Sequence, residues 1–267
     1  MTPSASAWLA TLQQAASNAN LPYLDLLIDA AGLKYPLHQR LAALPRPPDQ
    51  VRLFTDTREA AVAEYGPILL RVNLTDAEQQ AWLMELLQAV HDDHRLLALL
   101  SEWPLELLGK HLRHFTQASW DDGQQKGVLR FYDPWVFLGL AHNLDAQQCY
   151  QFHAAVVSWH WIDRSGAPQR LSGLPRPGNP AAAAFPVLEL TNPQLANMRF
   201  WNRADALRTT RQVQPATFRL DSQEKLHEHL MRALQAAEAQ GCPHDHQWAL
   251  DWLADDLCIT PSRAAQA

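Results

Sequence analysis

The sequence lacks the short patterns by which most enzyme chemistry can be read directly from a chain. It has no G-x-S-x-G elbow, no glycine-rich phosphate loop, no H-E-x-x-H and no C-x-x-C, so nucleophilic, phosphate-binding and metalloprotease chemistry have no local support. Cysteine is scarce: Cys149, Cys242 and Cys258 are three, irregularly spaced, and do not make a disulfide framework. No run approaches the roughly 18 apolar residues of a spanning helix. The start, M-T-P-S-A-S-A-W, has neither a basic n-region nor a continuous apolar h-region. An excess of positive charge is missing too, the net charge being −6, which argues against a surface built for nucleic acid. Together these absences predict a cytoplasmic chain that engages neither membrane nor nucleic acid.

What is present suits a globular protein. The 267 residues are 47% apolar and 19% charged, enough to bury a core in one large or two modest domains. Ten Trp is a high count, and such rings serve cores as well as interfaces.

Periodicity predicts an α+β (mixed α/β) lobe over residues 1–171, with a mixed sheet flanked by helices. Its helices are Ala5 to Ser17, Thr57 to Tyr65, a segment reaching Val90, and Pro104 to Phe115. Its clearest strands are Leu24 to Ala30 and Ile68 to Val72, with Arg95 to Leu100 favoured as another. Thr75-Asp76-Ala77-Glu78 reads as a capping box, and Glu106 with Lys110 as an ion pair across one helical turn. Val157 to Ile162 alternates like an exposed or edge strand. A Pro/Gly-rich linker at 172–186 precedes a smaller all-α lobe over 187–267.

The chain's organising stretch runs from Asp121 to Leu140. Asp121-Asp122-Gly123 is turn material, and Val128 to Tyr132 reads as a strand pairing back with Thr116 to Trp120 as a hairpin. Asp133 is placed to cap a helix whose first residue is Pro134, which needs no N–H donor there.

Candidate chemistry is thin. His91 with His94, and His111 with His114, share helix faces at i,i+3 but carry no further ligand pattern. Cys242, His244, His246 and Cys258 offer four zinc-ligand types, yet three crowd within five residues rather than forming two tight pairs. Asp121 and Asp122 resemble a carboxylate pair but precede a turn glycine. Asp25 and Asp29 lie in or beside a strand, and Asp29 could be a strand-end carboxylate of the kind α/β enzymes use. A binding surface is easier to motivate: Arg199, Arg203, Arg208 and Arg211 surround Phe200 and Trp201, and Arg and Trp dominate many interfaces. Core packing of the two rings is the competing reading.

L-R-F-Y-D-P after an acidic hairpin turn resembles the central signature of the domain-of-unknown-function family of type VI secretion effector chaperones, or adaptors. Leu26-Leu27-Ile28-Asp29-Ala30, the basic K-H-L-R-H-F helix end, the helix begun at Asp145 and V-S-W-H-W agree in order, over residues 21–165. The resemblance implies a non-enzymatic protein that binds a toxic effector and promotes its loading onto the VgrG spike, with no cofactor and no metal. It implies a structural role for Phe131, Tyr132, Asp133 and Pro134. Partner specificity is expected from Arg199, Phe200, Trp201, Arg203, Arg208 and Arg211. Two other readings stay open on the residues alone: an α/β hydrolase-like enzyme using Asp29 or a histidine, and a small zinc-stabilised regulatory module.

Overall fold

A computed structural model describes residues 4–90, 93–175 and 187–259. The chain divides into two compact units, Met1–Asn192 and Pro193–Ala267. In the first unit the elements run α1 (Ala5–Asn18), β1 (Tyr23–Asp29), α2 (Leu37–Ala42), β2 (Asp49–Arg52), β3 (Pro67–Asn73), α3 (Ala77–Val90) and β4 (Leu96–Leu100). There follow α4 (Leu105–Phe115), β5 (Gln117–Trp120), β6 (Gln125–Val128), α5 (Pro134–Asn143), α6 (Ala146–Phe152), β7 (Ser158–Ile162), β8 (Pro168–Ser172) and β9 (Leu188–Glu189). The second unit holds α7 (Asn192–Thr210), α8 (Gln223–Ala239) and α9 (His246–Asp256). The class is α+β with an all-helical C-terminal region.

Six strands form one sheet in the order β2-β3-β1-β4-β7-β8, every neighbouring pair antiparallel. A second sheet, β6-β5-β9, is mixed, because β5 pairs antiparallel with β6 and parallel with β9. Leu188 and Glu189, assigned by sequence to the helical lobe, thus belong to this sheet of the first unit. Most of the expected linker, 176–186, lies outside the described residues.

Side-chain alternation along β1 gives the large sheet two different faces. Leu24, Leu26 and Ile28 join Trp8, Leu12, Leu83, Leu86 and Leu87 in one apolar core beneath α1 and α3. Asp25, Leu27 and Asp29 point the other way. On that face Leu99 lies opposite Asp25, and Trp159 opposite Leu99. Trp159 meets the fully buried rings Phe131, Phe137 and Phe152 at centroid distances of 6.5, 4.9 and 5.7 Å. Phe115, at the end of α4, joins through Phe152 at 5.2 Å. Edge-to-face and stacked contacts of this kind add to what ring burial alone supplies.

Several expectations are corrected. The hairpin forms, but its second strand is Gln125–Val128, with Gln117 opposite Val128. The chain leaves the ladder after Leu129, whose amide still donates to Thr116 O at 2.8 Å, because Phe131 and Tyr132 turn into the core, where they are 0% and 4% exposed. Strand β7 is not an edge: β4 and β8 flank it, and all five of its residues are buried. Its alternation separates two buried environments rather than core from water.

The helix expected over Thr57 to Tyr65 is only a 3-10 turn at Ala60–Val62. Asp76, not Thr75, caps α3, its Oδ1 accepting from the amides of Glu78 and Gln79 at 3.0 and 3.3 Å. Thr75 instead donates its hydroxyl to Asn73. Among the described residues Glu106 and Lys110 form no ion pair, both side chains being exposed to water that competes for them.

Candidate interaction site

The two carboxylates of β1 are both locked by arginine. Asp25, fully buried, receives the Arg71 guanidinium in a two-pronged pair, both N–O distances 2.7 Å, across the β1–β3 register. Arg71 also donates to Trp103 O at 2.9 Å and lies 3.9 Å from the Tyr23 ring centroid. Burial pushes the Asp25 carboxyl up to about 6 against the opposing pull of Arg71.

Asp29 closes the other end of the strand. Its Oδ2 accepts from Arg95 Nη1 at 2.9 Å and from Arg130 Nη2 at 2.8 Å, and its Oδ1 accepts from the Ala31 amide at 3.2 Å. With 2% exposure and both oxygens engaged, Asp29 is committed to pinning the end of β1.

Arg130 belongs to the L-R-F-Y-D-P stretch, so Asp29 joins the two segments that carried the family resemblance. The next residues are equally committed to structure. Phe131 occupies the aromatic cluster. Tyr132 packs edge-on against Phe54 at 6.1 Å, and burial pushes its hydroxyl up to about 12. Asp133 is the N-cap of α5, its Oδ1 accepting from the Trp135 amide at 3.0 Å, and Pro134 is buried at the first helical position. Burial raises the Asp133 pKa against the amides that lower it. Asp121, Asp122 and Gly123 form the hairpin turn with φ of 56°, 50° and 78°, left-handed values that glycine and aspartate tolerate best.

In the second unit the proposed contact cluster comes apart. On α7, Met198, Trp201, Ala204 and Leu207 share the buried face at helical spacing. Trp201, 7% exposed, meets the fully buried His227 edge-on at 4.3 Å, so its ring is part of this unit's core. Phe200 is half-buried beneath Arg203, 5.5 Å from its ring centroid. Arg203 is held by Glu238 at 3.1 Å and by the Pro243 carbonyl, and Arg208 sits 3.7 Å from Asp205. Arg199 and Arg211 are exposed.

The metal-ligand candidates do not converge: among the described residues no group of three or more His, Cys, Asp or Glu is arranged to hold a metal ion. Cys242 donates its thiol to Ala237 O at 3.3 Å, and Cys258 is exposed. His91 lies outside the described residues. His94 packs on Trp135 at 5.1 Å, His111 is buried 3.0 Å from Phe152 O, and His114 lies edge-on to Phe115 at 5.1 Å. A Ser–His pair does exist, Ser158 Oγ standing 2.9 Å from His160 Nε2. Both residues line a cavity of about 650 Å³ beside α1, although Ser158 is only 1% exposed.

A cleft of about 790 Å³ was not anticipated as a unit. Its walls carry Arg58 from the β2–β3 connection, Lys110 and Arg113 from α4, and Lys126 from β6, above Ala118 and Val187. Helix α4 reaches this position because Gly109 lets it lie directly on β2; a Cβ there would stand 2.6 Å from Val51 Cγ1. Arg113 donates to Arg52 O at 3.2 Å and faces Asp56 at 3.5 Å. Sequence flagged only the basic end of α4; Arg58 and Lys126 arrive from separate stretches, and no local spacing links them.

No helix among the described residues is long and apolar enough to cross a membrane. Fold and site define an α+β protein whose signature residues pack and pair internally, beside a cleft with basic walls. Residues 26–151, just under half of the chain, match the model of a family described as a domain of unknown function, DUF4123. No curated protein and no solved structure matches the chain.

Proposed function

We propose that this protein is a type VI secretion adaptor, which binds a toxic effector in the cytoplasm and promotes its loading onto the VgrG spike without catalysis. The observation that carries the reading is the family match over 26–151, with its two landmark segments joined at Asp29 and Arg130. The non-catalytic part is supported by the fate of the plausible acids: Asp25 and Asp29 are consumed by arginines, and Asp133 caps a helix. A surface role fits what is left exposed, namely basic side chains around a cleft.

Co-expression of the chain with the effector and spike genes that neighbour it, followed by affinity capture, tests the proposal. A stable complex with the effector, and better recovery of effector on the spike when the adaptor is present, is the expected result. Capture of neither protein refutes it.

A further inference from the structure

The cleft between the β2–β3 connection, α4 and β6 gathers cations in a chain whose net charge is −6. Arg58, Lys110 and Lys126 are exposed, and among the described residues none of them forms an ion pair. Among the described residues the only carboxylate on the wall is Asp56, 79% exposed and facing Arg113 at 3.5 Å. Glu59, close by, accepts from the Gln117 amide at 2.9 Å. Like charges brought together without matching carboxylates repel one another and create a local positive potential, which an anionic ligand relieves.

We propose that this cleft is the docking site for an acidic segment of the partner protein, bound through its Asp and Glu side chains. The identity of that partner as effector or spike rests on the adaptor reading. Three observations favour an acidic polypeptide. The cleft volume of about 790 Å³ accommodates a short stretch of chain. Its lining includes the aliphatic Ala118 and the 52% exposed Val187, suited to the apolar side chains that alternate with acidic ones in an extended strand. Among the described residues its wall holds no Phe, Tyr or Trp on which a nucleic-acid base would stack, and its one imidazole, His114, lies edge-on to Phe115; the overall negative charge opposes a long polyanion. Guanidinium and ammonium groups together give two-pronged and point-charge recognition of carboxylates.

The test is charge reversal of the three exposed cations, Arg58→Glu with Lys110→Glu and Lys126→Glu, in the full chain. All three are surface residues, and circular dichroism with a thermal melt checks that the fold is kept. Two measurements follow. In the first, a labelled glutamate-rich peptide is titrated against both proteins, with a single-stranded oligonucleotide of equal charge alongside. Saturable peptide binding by the wild type, weakened at least tenfold in the variant and by raising salt from 50 to 300 mM, is expected. No peptide binding, equal binding by the variant, or tighter binding of the oligonucleotide would overturn the proposal.

The second measurement takes purified effector and spike proteins as partners. At least a tenfold loss of affinity for one of them in the variant is expected, and unchanged affinity for both again overturns the cleft assignment. Failure of the wild type to bind either partner sinks the adaptor reading instead, and the peptide titration then decides the cleft by itself.

Discussion

Arg130 Nη2 donates to Asp29 Oδ2 at 2.8 Å, tying together residues 101 positions apart. The bond fixes the end of β1 against the chain that enters α5, with Arg95 completing the arrangement from the start of β4. Asp29 is almost wholly buried, whereas the Arg95 and Arg130 side chains are 31% and 51% exposed. Removing the carboxylate therefore leaves cations that water can reach, while removing an arginine leaves a buried anion less well compensated. Asp29→Asn is expected to cost roughly 1–3 kcal/mol of unfolding free energy in urea. A double-mutant cycle with Arg130→Gln should give a coupling of about 1 kcal/mol, and simple additivity would show that the pair is not energetically linked.

Gly109 makes a second connection that substitution can break. The Cβ of an alanine would stand 2.6 Å from Val51 Cγ1, closer than such atoms approach in folded proteins. Alanine is the better helix former by about 1 kcal/mol, so a solvated site would be stabilised. Here overpacking is expected to win, lowering stability by roughly 1–3 kcal/mol. Adding Val51→Ala to Gly109→Ala should recover part of that loss. Thermal and urea unfolding of the two variants read this directly, and a more stable Gly109→Ala protein would show that α4 is not pressed against β2.

On α7 the candidate contact residues should separate by experiment. Trp201→Ala is expected to destabilise the second unit by about 3–5 kcal/mol, through loss of a buried ring against His227. Arg199→Ala and Arg211→Ala, both at exposed positions, should change stability by less than about 0.5 kcal/mol. Partner-binding assays on α7 are therefore informative with the two arginine variants and not with Trp201. A Trp201→Ala protein that melts like the wild type would contradict the packing described.

The elements that sequence captured were those with strong local causes. Asp133 and Pro134 specify a helix start by stereochemistry alone, and Leu24 to Asp29 is apolar enough to be a central strand. Where a tertiary partner decides, local rules fell short. Strand β8, P-Q-R-L-S, is polar and proline-led, and it is a strand because β7 offers it a ladder. Asp163 helps by holding the connecting turn, accepting from the amides of Ser165 and Ala167, each at 2.8 Å. Strand β7 looked like an edge because Ser158 and His160 alternate with Trp159 and Trp161. Yet Ser158 and His160 satisfy each other in the interior. The cleft was invisible for a further reason: its cations come from three elements, and only the folded chain brings them together.

Two buried histidines give the stability a definite pH dependence. Burial lowers His153 to about 4, and burial together with Arg170 lowers His160 to about 4, from an ordinary 6.5. His153 Nδ1 must stay unprotonated to accept from Trp159 Nε1 at 2.9 Å. In the unfolded chain both rings take up protons near pH 6.5, so below that value the unfolded state binds more protons. Their contribution is complete above pH 6.5 and is lost as the pH falls toward 4. The loss is roughly 1–2 kcal/mol per histidine between pH 7 and pH 5. Asp25 acts in the opposite sense, since its carboxyl is raised to about 6 and takes up a proton more readily in the folded state. Asp133, also raised by burial, acts in the same sense as Asp25, but the two histidines are expected to outweigh them, so unfolding free energy should fall on acidification across this range. His153→Gln, which keeps an acceptor for Trp159, should flatten the profile between pH 7 and pH 5. An unchanged slope in that variant would mean that His153 titrates alike in the folded and unfolded chain.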